Sequence, residues 1–392
     1  MSNATYNLKQ LPILLKKGLR RNISSDRFKR GVLEYSVNEH LPSLDLKYAK
    51  LPIYKKMDVA KLFDREIFIH DDKPIIDDPY PEADIIIDEG HATEVNMPWR
   101  EKQKVSVHDI YSQRNNFDKY QNYFLPKQRL SDLCYLNTVN PLLIKFSSNR
   151  DAIRTIQYIG TGKDNLNCNT IIVDVGPNAN IEIRESFNTT NIYLTNIHYI
   201  VRKGAKLTVL RDIQTSNSST IIDSTVTQYP NSDFKMAVYG GGNKYTQNLF
   251  DIYSYKNCYT SVQGAFDLTN DNSNNFYINM NHLAKNSSSD IDIKNVVDDA
   301  SFTSFYGKIF ISKDATDVDA QMYNKNLRLS KDATVITEPT LDINNKEVQC
   351  KHGCTVSNLN KDDLYYLQSR GVNTQDAEDI LVSSFLKNER TI

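Results

Sequence analysis

The chain has 392 residues, with 47 Lys and Arg against 48 Asp and Glu, for a formal net charge of −1. That length allows two or three domains and a core large enough to need no disulfide or metal staple. The balanced charge argues against nucleic acid or an anionic membrane as the main partner, and no apolar run approaches the ~18 residues of a spanning helix.

The chain opens without acidic groups through residue 25 and carries Lys9, Lys16, Lys17, Arg20 and Arg21. This pattern fits a transit peptide or a basic surface helix. Pro12 breaks the helical pattern that a transit peptide would show, which leaves a basic surface helix as the preferred reading. Residues 1–145 read as an irregular α/β domain, with helical stretches at Asp58 to Phe63 and Val107 to Tyr120. Its acidic run "HDDKPIIDDPYPEADIIIDEG" is punctuated by Pro74, Pro79 and Pro81 and reads as a solvated loop.

Residues 146–345 change character. "TIIVDV", "NIEIRES", "NIYLTNIHYIV", "KLTVLRDI", "STIIDSTVTQY", "FKMAVYG", "KIFIS" and "ATVIT" alternate or are β-branched, and turns of Gly, Asn, Asp and Ser divide them. The spacers "GPNAN" and "KGAK" each precede a strand, and "KDAT" occurs at Lys313 and again at Lys331. A turn followed by a strand of about five residues, repeated over so long a stretch, favours a parallel β-helix over a single sandwich. Asp290 and Asp292 form one carboxylate pair on one strand and read as a solvated edge. A polysaccharide-active β-helix enzyme would need a larger cluster.

Residues 346–392 turn helical. Asn360 with Asp363 predicts the start of a helix over Lys361 to Ser369, which Gly371 ends. Thr374 is expected to cap a second helix over Gln375 to Lys387. There Ala377, Ile380, Leu381, Ser384 and Phe385 form a stripe that calls for burial, against the chain's own sheet or a partner.

Just before these helices stands "EVQCKHGCTVSNL". If this is a strand, Cys350, His352 and Cys354 share one face. Two thiols and an imidazole are ligands for iron or zinc. A Cys–His nucleophile pair is the enzymatic alternative, but nothing nearby suggests an oxyanion hole. Three side chains in a core are the other alternative, and Gly353 is a candidate bulge that would turn Cys354 away. Cys134, Cys168 and Cys258 show no partner spacing, and His282 reads as structural. Five scattered cysteines make no secreted disulfide framework and point to a reducing cytosol. No G-x-x-x-x-G-K-[ST] occurs, so ATP hydrolysis is not expected of this chain.

The segment "PTLDINNKEVQCKHGCTVSNLNKDDLYYLQSRG" resembles the C-terminal signature of the SufB/SufD family of iron–sulfur cluster assembly scaffolds. The matching positions include Pro339, Leu341, Cys350, His352, Gly353, Tyr366, Ser369, Arg370 and Gly371. Weaker likeness extends upstream through "GGGNKYTQNL" and "NMNHLAKNSSSDIDIKNVVDDASFTSFYGKI". The resemblance implies a right-handed parallel β-helix between helical ends. It also implies a non-catalytic scaffold that docks a SufC-type ATPase through its last helices. A SufB-type partner would pair edge to edge near Lys308 to Val348, with a homodimer acting with SufC alone as the alternative.

Where the SufB form carries its sulfur-accepting cysteine and a nearby histidine, this chain has Ala333 and Ile336, so it is nearest the SufD form. The resemblance makes Cys350 and His352 candidate ligands of a transient iron or iron–sulfur cluster at a shared interface. Cys354 stands where the family usually has alanine and is an additional candidate. A flavin in the complex is a further implication, as is a cytoplasmic location, with an organellar matrix as the alternative. Family members usually continue with more helix where this chain ends at Ile392, which implies a shortened docking element.

Overall fold

Between Leu142 and Ser357 the chain repeats one unit: strand, tight corner, strand, tight corner. The computed structural model describes residues 141–160, 166–189, 192–213 and 218–387, with short stretches and single positions upstream. The upstream strands are β1 (Thr5–Tyr6), β2 (Ile67–Phe68), β3 (Ile85–Asp88), β4 (His91–Glu94) and β5 (Val105–Asp109).

The repeating part comprises β6 (Leu142–Phe146), β7 (Asp151–Ile159), β8 (Leu166–Val175), β9 (Asn180–Asn188), β10 (Ile192–Val201), β11 (Lys206–Ile213), β12 (Ser219–Gln228) and β13 (Asp233–Gly241). It continues with β14 (Tyr245–Ser254), β15 (Tyr259–Leu268), β16 (Ser273–His282), β17 (Ser288–Val297), β18 (Phe302–Ile311), β19 (Val318–Arg328), β20 (Thr334–Ile343) and β21 (Val348–Ser357). Even-numbered strands from β6 to β20 lie side by side in a 9-stranded sheet closed by β5. Odd-numbered strands from β7 to β21 lie in a 10-stranded sheet closed by β3 and β4. All pairings among β6 to β21 are parallel. The fold is therefore a parallel β-solenoid, each coil giving one strand to each sheet.

Same-sheet partners recur after 26 residues at Leu166 and Ile192 and after 32 at Phe302 and Thr334. One corner of every coil before the last takes a left-handed backbone, the last of them at Asp317. Asn149, Asn178, Asn231, Asn257 and Asn286 supply it, with φ between 53° and 63°, and Gly204 does so at 70°. These asparagines also stack. Asn178 donates to Asn149 at 3.3 Å, Asn257 to Asn231 at 2.7 Å and Asn286 to Asn257 at 3.1 Å. "GPNAN" and "KGAK" are successive turns of this corner. The strands run for eight to eleven residues over most of the solenoid, longer than the five expected, because stacked Asn, Ser and Thr rows extend them.

The two sheets differ on their outer faces. Odd strands alternate, as in β9 with Ile181, Ile183, Glu185 and Phe187 inward. Strands β8, β10 and β14 are buried on nearly every residue of both faces. Residues of the N-terminal part cover that outer face: Lys127 donates to Asp223 at 2.7 Å and Ser131 to Asp223 at 2.6 Å.

The bore is mainly apolar, with rows of buried polar side chains such as Asn295, Asn324 and Asn326, and it holds an ion pair, Glu185 with Arg211. Arg211 Nε donates to Glu185 at 2.8 Å, Nη2 to Tyr199 at 2.8 Å and Nη1 to Ser224 at 3.2 Å. Tyr158 adds a bond to Glu185 at 3.2 Å, and the guanidinium lies between the rings of Phe187 and Phe250. A charge can stay buried here because its donors and acceptors are met on several strands.

Two upstream expectations change. Val107 to Asp109 belong to strand β5, where alternating Val105 and Val107 pair antiparallel with β6; helix is present at Lys119 and Tyr120. Within the acidic run, Ile85–Asp88 is a buried strand joining β7, because three consecutive isoleucines find an apolar bed there. The Asp58 to Phe63 stretch and the basic N-terminus lie outside the described residues.

After β21 come α1 (Lys361–Ser369) and α2 (Thr374–Lys387). Asn360 caps α1 by accepting from Asp362 N, and Gly371, at φ 88°, ends it. The second helix is capped by Asn373, not Thr374. Its Oδ1 accepts from Asp376 N at 2.9 Å, and its Nδ2 donates back to the Asp376 carboxylate at 2.6 Å. A side chain reaches the N3 amide from the residue preceding the first helical one, and that residue is Asn373. The expected stripe is buried only at Ala377; Leu381 and Phe385 are half-buried, Ile380 and Ser384 exposed. α2 touches the solenoid where Lys294 donates to Phe385 O at 2.9 Å and underlies its ring. Among the described residues, no helix is long and apolar enough to cross a membrane.

Candidate functional site

A solenoid that stops leaves its last inner rows without a following coil. Here β20 and β21 end the two sheets. The inward row of β20 is Val335, Thr337, Pro339, Leu341 and Ile343, stacked on the buried row of β18 that includes Phe305, Ile309 and Ile311. The inward row of β21 is Val348, Cys350, His352, Cys354 and Val356. Its Cys350, His352 and Cys354 pair with the buried Ala320, Met322 and Asn324 of β19. The solenoid thus ends in an open slot with Ile343 41% and Val356 51% exposed.

Cys350, His352 and Cys354 do share one face of one strand. The expected bulge at Gly353 is not present: pairing runs unbroken through Tyr323–Gly353, and Cys354 keeps the inward direction. Glycine suits this point because a Cβ would lie 3.0 Å from the Tyr323 ring on the outer face.

The three donors differ in surroundings. Cys350 is half-buried and packs against the main apolar core. Burial, and secondarily the negative Asp319, push its thiol pKa up. His352 is exposed. Cys354 is half-buried, and Thr337 reaches across from β20 to donate its hydroxyl to Sγ at 3.1 Å. Beneath Cys354 lies an amide pair, Asn326 donating to Asn324 at 2.7 Å.

Spacing limits what the row can hold. At ~3.3 Å per residue, neighbours in the row are about 7 Å apart and its ends about 13 Å apart. Two adjacent side chains can lean onto one ion, but two cysteines at the ends cannot meet on it. Among the described residues no group of three or more His, Cys, Asp or Glu side chains is placed to hold a metal ion. The row is an open edge of two thiols and an imidazole, too few and too far apart to close a metal site by itself.

The remaining residues of interest lie elsewhere. Cys134, Cys168 and Cys258 are buried, free thiols. His282 is buried, with Ser287 Oγ 2.7 Å from one ring nitrogen and Ser289 Oγ 3.0 Å from the other; burial lowers its pKa to about 4. Asp292 pairs with Lys325 at 2.6 Å, which leaves the Asp290–Asp292 pair poorly suited to glycoside chemistry. Ala333 is buried in the core and Ile336 is half-buried on the outer face of β20. Thr337 was missed by sequence reasoning, because only the facing of the two sheets brings β20 and β21 side chains together.

Comparison with known proteins agrees with this geometry. The family model described as the SufBD core domain of the SUF system for FeS cluster assembly matches residues 158–385. An iron–sulfur cluster assembly SufBD family protein of Synechocystis is 28% identical over 233 residues, 55% of this chain and 51% of that protein. SufD of Escherichia coli is 39% identical over 92 residues, 24% of this chain and 22% of that protein. SufD of Bacillus subtilis is 22% identical over 250 residues, 58% of this chain and 54% of that protein. The chain therefore spans about half the length, or less, of the curated relatives it matches. A core domain matched over more than half of the sequence, on a parallel solenoid, places the chain in the SufB/SufD family of iron–sulfur cluster assembly proteins.

Proposed function

We propose that this protein is a SufD-like, non-catalytic scaffold subunit of a Suf complex, presenting Cys350, His352 and Cys354 to a nascent iron or iron–sulfur cluster as cargo. The observation that carries this reading is the open donor edge at the end of the solenoid. A closed set of four protein ligands would trap a cluster. An incomplete edge binds a metal ion weakly by itself and holds a cluster firmly only while a partner supplies the remaining ligands, and it releases the cluster when the partner moves.

The partner is a SufB-type scaffold whose own edge strands extend the two sheets beyond β20 and β21. Parallel strands ending in unpaired backbone groups favour such addition. The exposed α1 and α2, with Tyr365 73% and Tyr366 57% exposed, are the docking element for a SufC-type ATPase. A homodimer working with that ATPase is the second reading. The additional Cys354 favours it, because two copies would bring six donors to one interface. The same reading places the protein in cytoplasm or an organellar matrix, where thiols stay reduced.

The test is anaerobic co-expression with SufB- and SufC-type proteins, followed by size-exclusion chromatography with light scattering and iron analysis. A co-eluting, iron-containing complex is expected, and its mass separates heterodimer from homodimer. In that complex His352→Ala lowers iron content while the melting curve stays unchanged. Unaltered iron with normal melting removes His352 from the ligand set, and a chain that elutes alone at every salt concentration removes the scaffold reading.

A further inference from the structure

The three donors cannot act as one set, so the row divides into two alternative pairs: Cys350 with His352, or His352 with Cys354. Surroundings decide between them. The Cys350 sulfur packs on the apolar core beside Val348, above the small, buried Ala320. A metal ion there would lose hydration against an apolar bed, since the neighbouring Asp319 faces outward on β19 and His352 would be its one polar neighbour in the row.

Cys354 stands in a different place. Its Sγ accepts from Thr337 of the opposite sheet at 3.1 Å. Its row partner in the coil below is Asn324, whose amide nitrogen donates to Ile293 O at 3.1 Å and whose oxygen accepts from Asn326 at 2.7 Å. The exposed His352 lies two residues away on the same face. One half of the slot is therefore apolar, and the other offers a thiol, an imidazole, a hydroxyl and amides. Thr337 also ties the two sheets at their open end, so it fixes where the sulfur points.

Resting on the scaffold reading, we propose that His352 and Cys354 are the working donor pair for a borderline divalent metal such as Fe(II). Thr337 is the residue that positions the sulfur, and Cys350 serves as a core thiol. Metal binding displaces the Cys354 proton to solvent, and no electron transfer is involved.

Co(II) is the probe, because thiolate ligation produces a charge-transfer band in the near ultraviolet. The full chain is titrated anaerobically as wild type, Cys350→Ser, Cys354→Ser, His352→Ala and Thr337→Val, each checked by its melting curve. The band is expected in wild type and Cys350→Ser and lost in Cys354→Ser. Thr337→Val weakens Co(II) binding by about ten-fold, the lower range for losing an outer-sphere partner. Should Cys354→Ser misfold, Cys354→Ala at the same position gives the same readout. A band lost in Cys350→Ser and kept in Cys354→Ser overturns the assignment, and so does a wild-type chain with no band. Co-elution with the SufC-type ATPase is measured on the same preparations. A chain that co-elutes but shows no band overturns the donor pair alone, whereas failure to co-elute counts against the scaffold reading itself.

Discussion

His282 shows how a residue typical of functional sites can serve the fold. It lies in β16, with a serine hydroxyl on each ring nitrogen and no exposure. Hydroxyls can donate or accept, so they suit a neutral imidazole in either tautomer. Burial lowers its pKa to about 4, and burial with the nearby Lys127 lowers that of His198 to about 3. In the unfolded chain both would take up a proton below about 6.5. The folded chain refuses it, so their stabilising effect is present above pH 6.5 and is lost as pH falls towards the folded values. His282 alone is expected to remove about 2 kcal/mol between pH 6.5 and 5. Urea unfolding at both pH values checks this, and His282→Gln should flatten part of the slope. A slope identical to wild type would assign the acid sensitivity to other groups.

Among elements, the coil is the unit, and the Glu185–Arg211 network ties consecutive coils together. The carboxylate is on β9 and the guanidinium on β11, while Tyr158, Tyr199 and Ser224 come from β7, β10 and β12. A slip of one residue would turn these groups outward, so the network also marks the register. Arg211→Met leaves Glu185 buried without its cation and should cost about 3–5 kcal/mol. Replacing both residues by apolar ones should recover much of that loss, since the isolated charge is then absent. A single variant as stable as wild type would show that water reaches the bore.

Coils were legible in the sequence through their corners, where Asn and Gly recur at turns. Strand lengths were not. "SNNFYINMNH" has low strand propensity as an isolated peptide, yet it is β16 throughout. There Asn274 donates to Asn295, and Ser304 donates to Asn275. The first bond crosses between the two sheets and the second joins stacked coils, so both exist only in the folded solenoid.

For the molecule as a whole, the decisive feature is asymmetry between its ends. At one end, β3, β4 and β5 close the two sheets with antiparallel pairings. At the other, β20 and β21 stop with their inner rows half-open. A partly apolar slot beside unpaired strand edges is where we place the proposed scaffold partner. Ile343→Lys with Val356→Lys places two charges on it and is expected to abolish co-elution with a SufB-type partner while leaving the melting temperature within a few degrees. Retained co-elution would move the partner contact to the helical hairpin. That hairpin is a second unfinished surface. Its stripe was expected to be buried, yet Ile380 remains 46% exposed while α2 is tied to β17 at Lys294 and Phe385.

Taken by itself, the sequence determined the repeating strand–turn pattern, the helical hairpin and the alignment of Cys350, His352 and Cys354 on one face. Each follows from local periodicity and turn chemistry, which act over a few residues. Only the tertiary structure decided that this row is the last inner row of the solenoid, that its two thiols differ in surroundings, and that Thr337 completes one of them. Those facts depend on which strand faces which across the bore and where the coils stop. Both are set by packing between residues far apart in the chain, and short-range pattern carries no information about it.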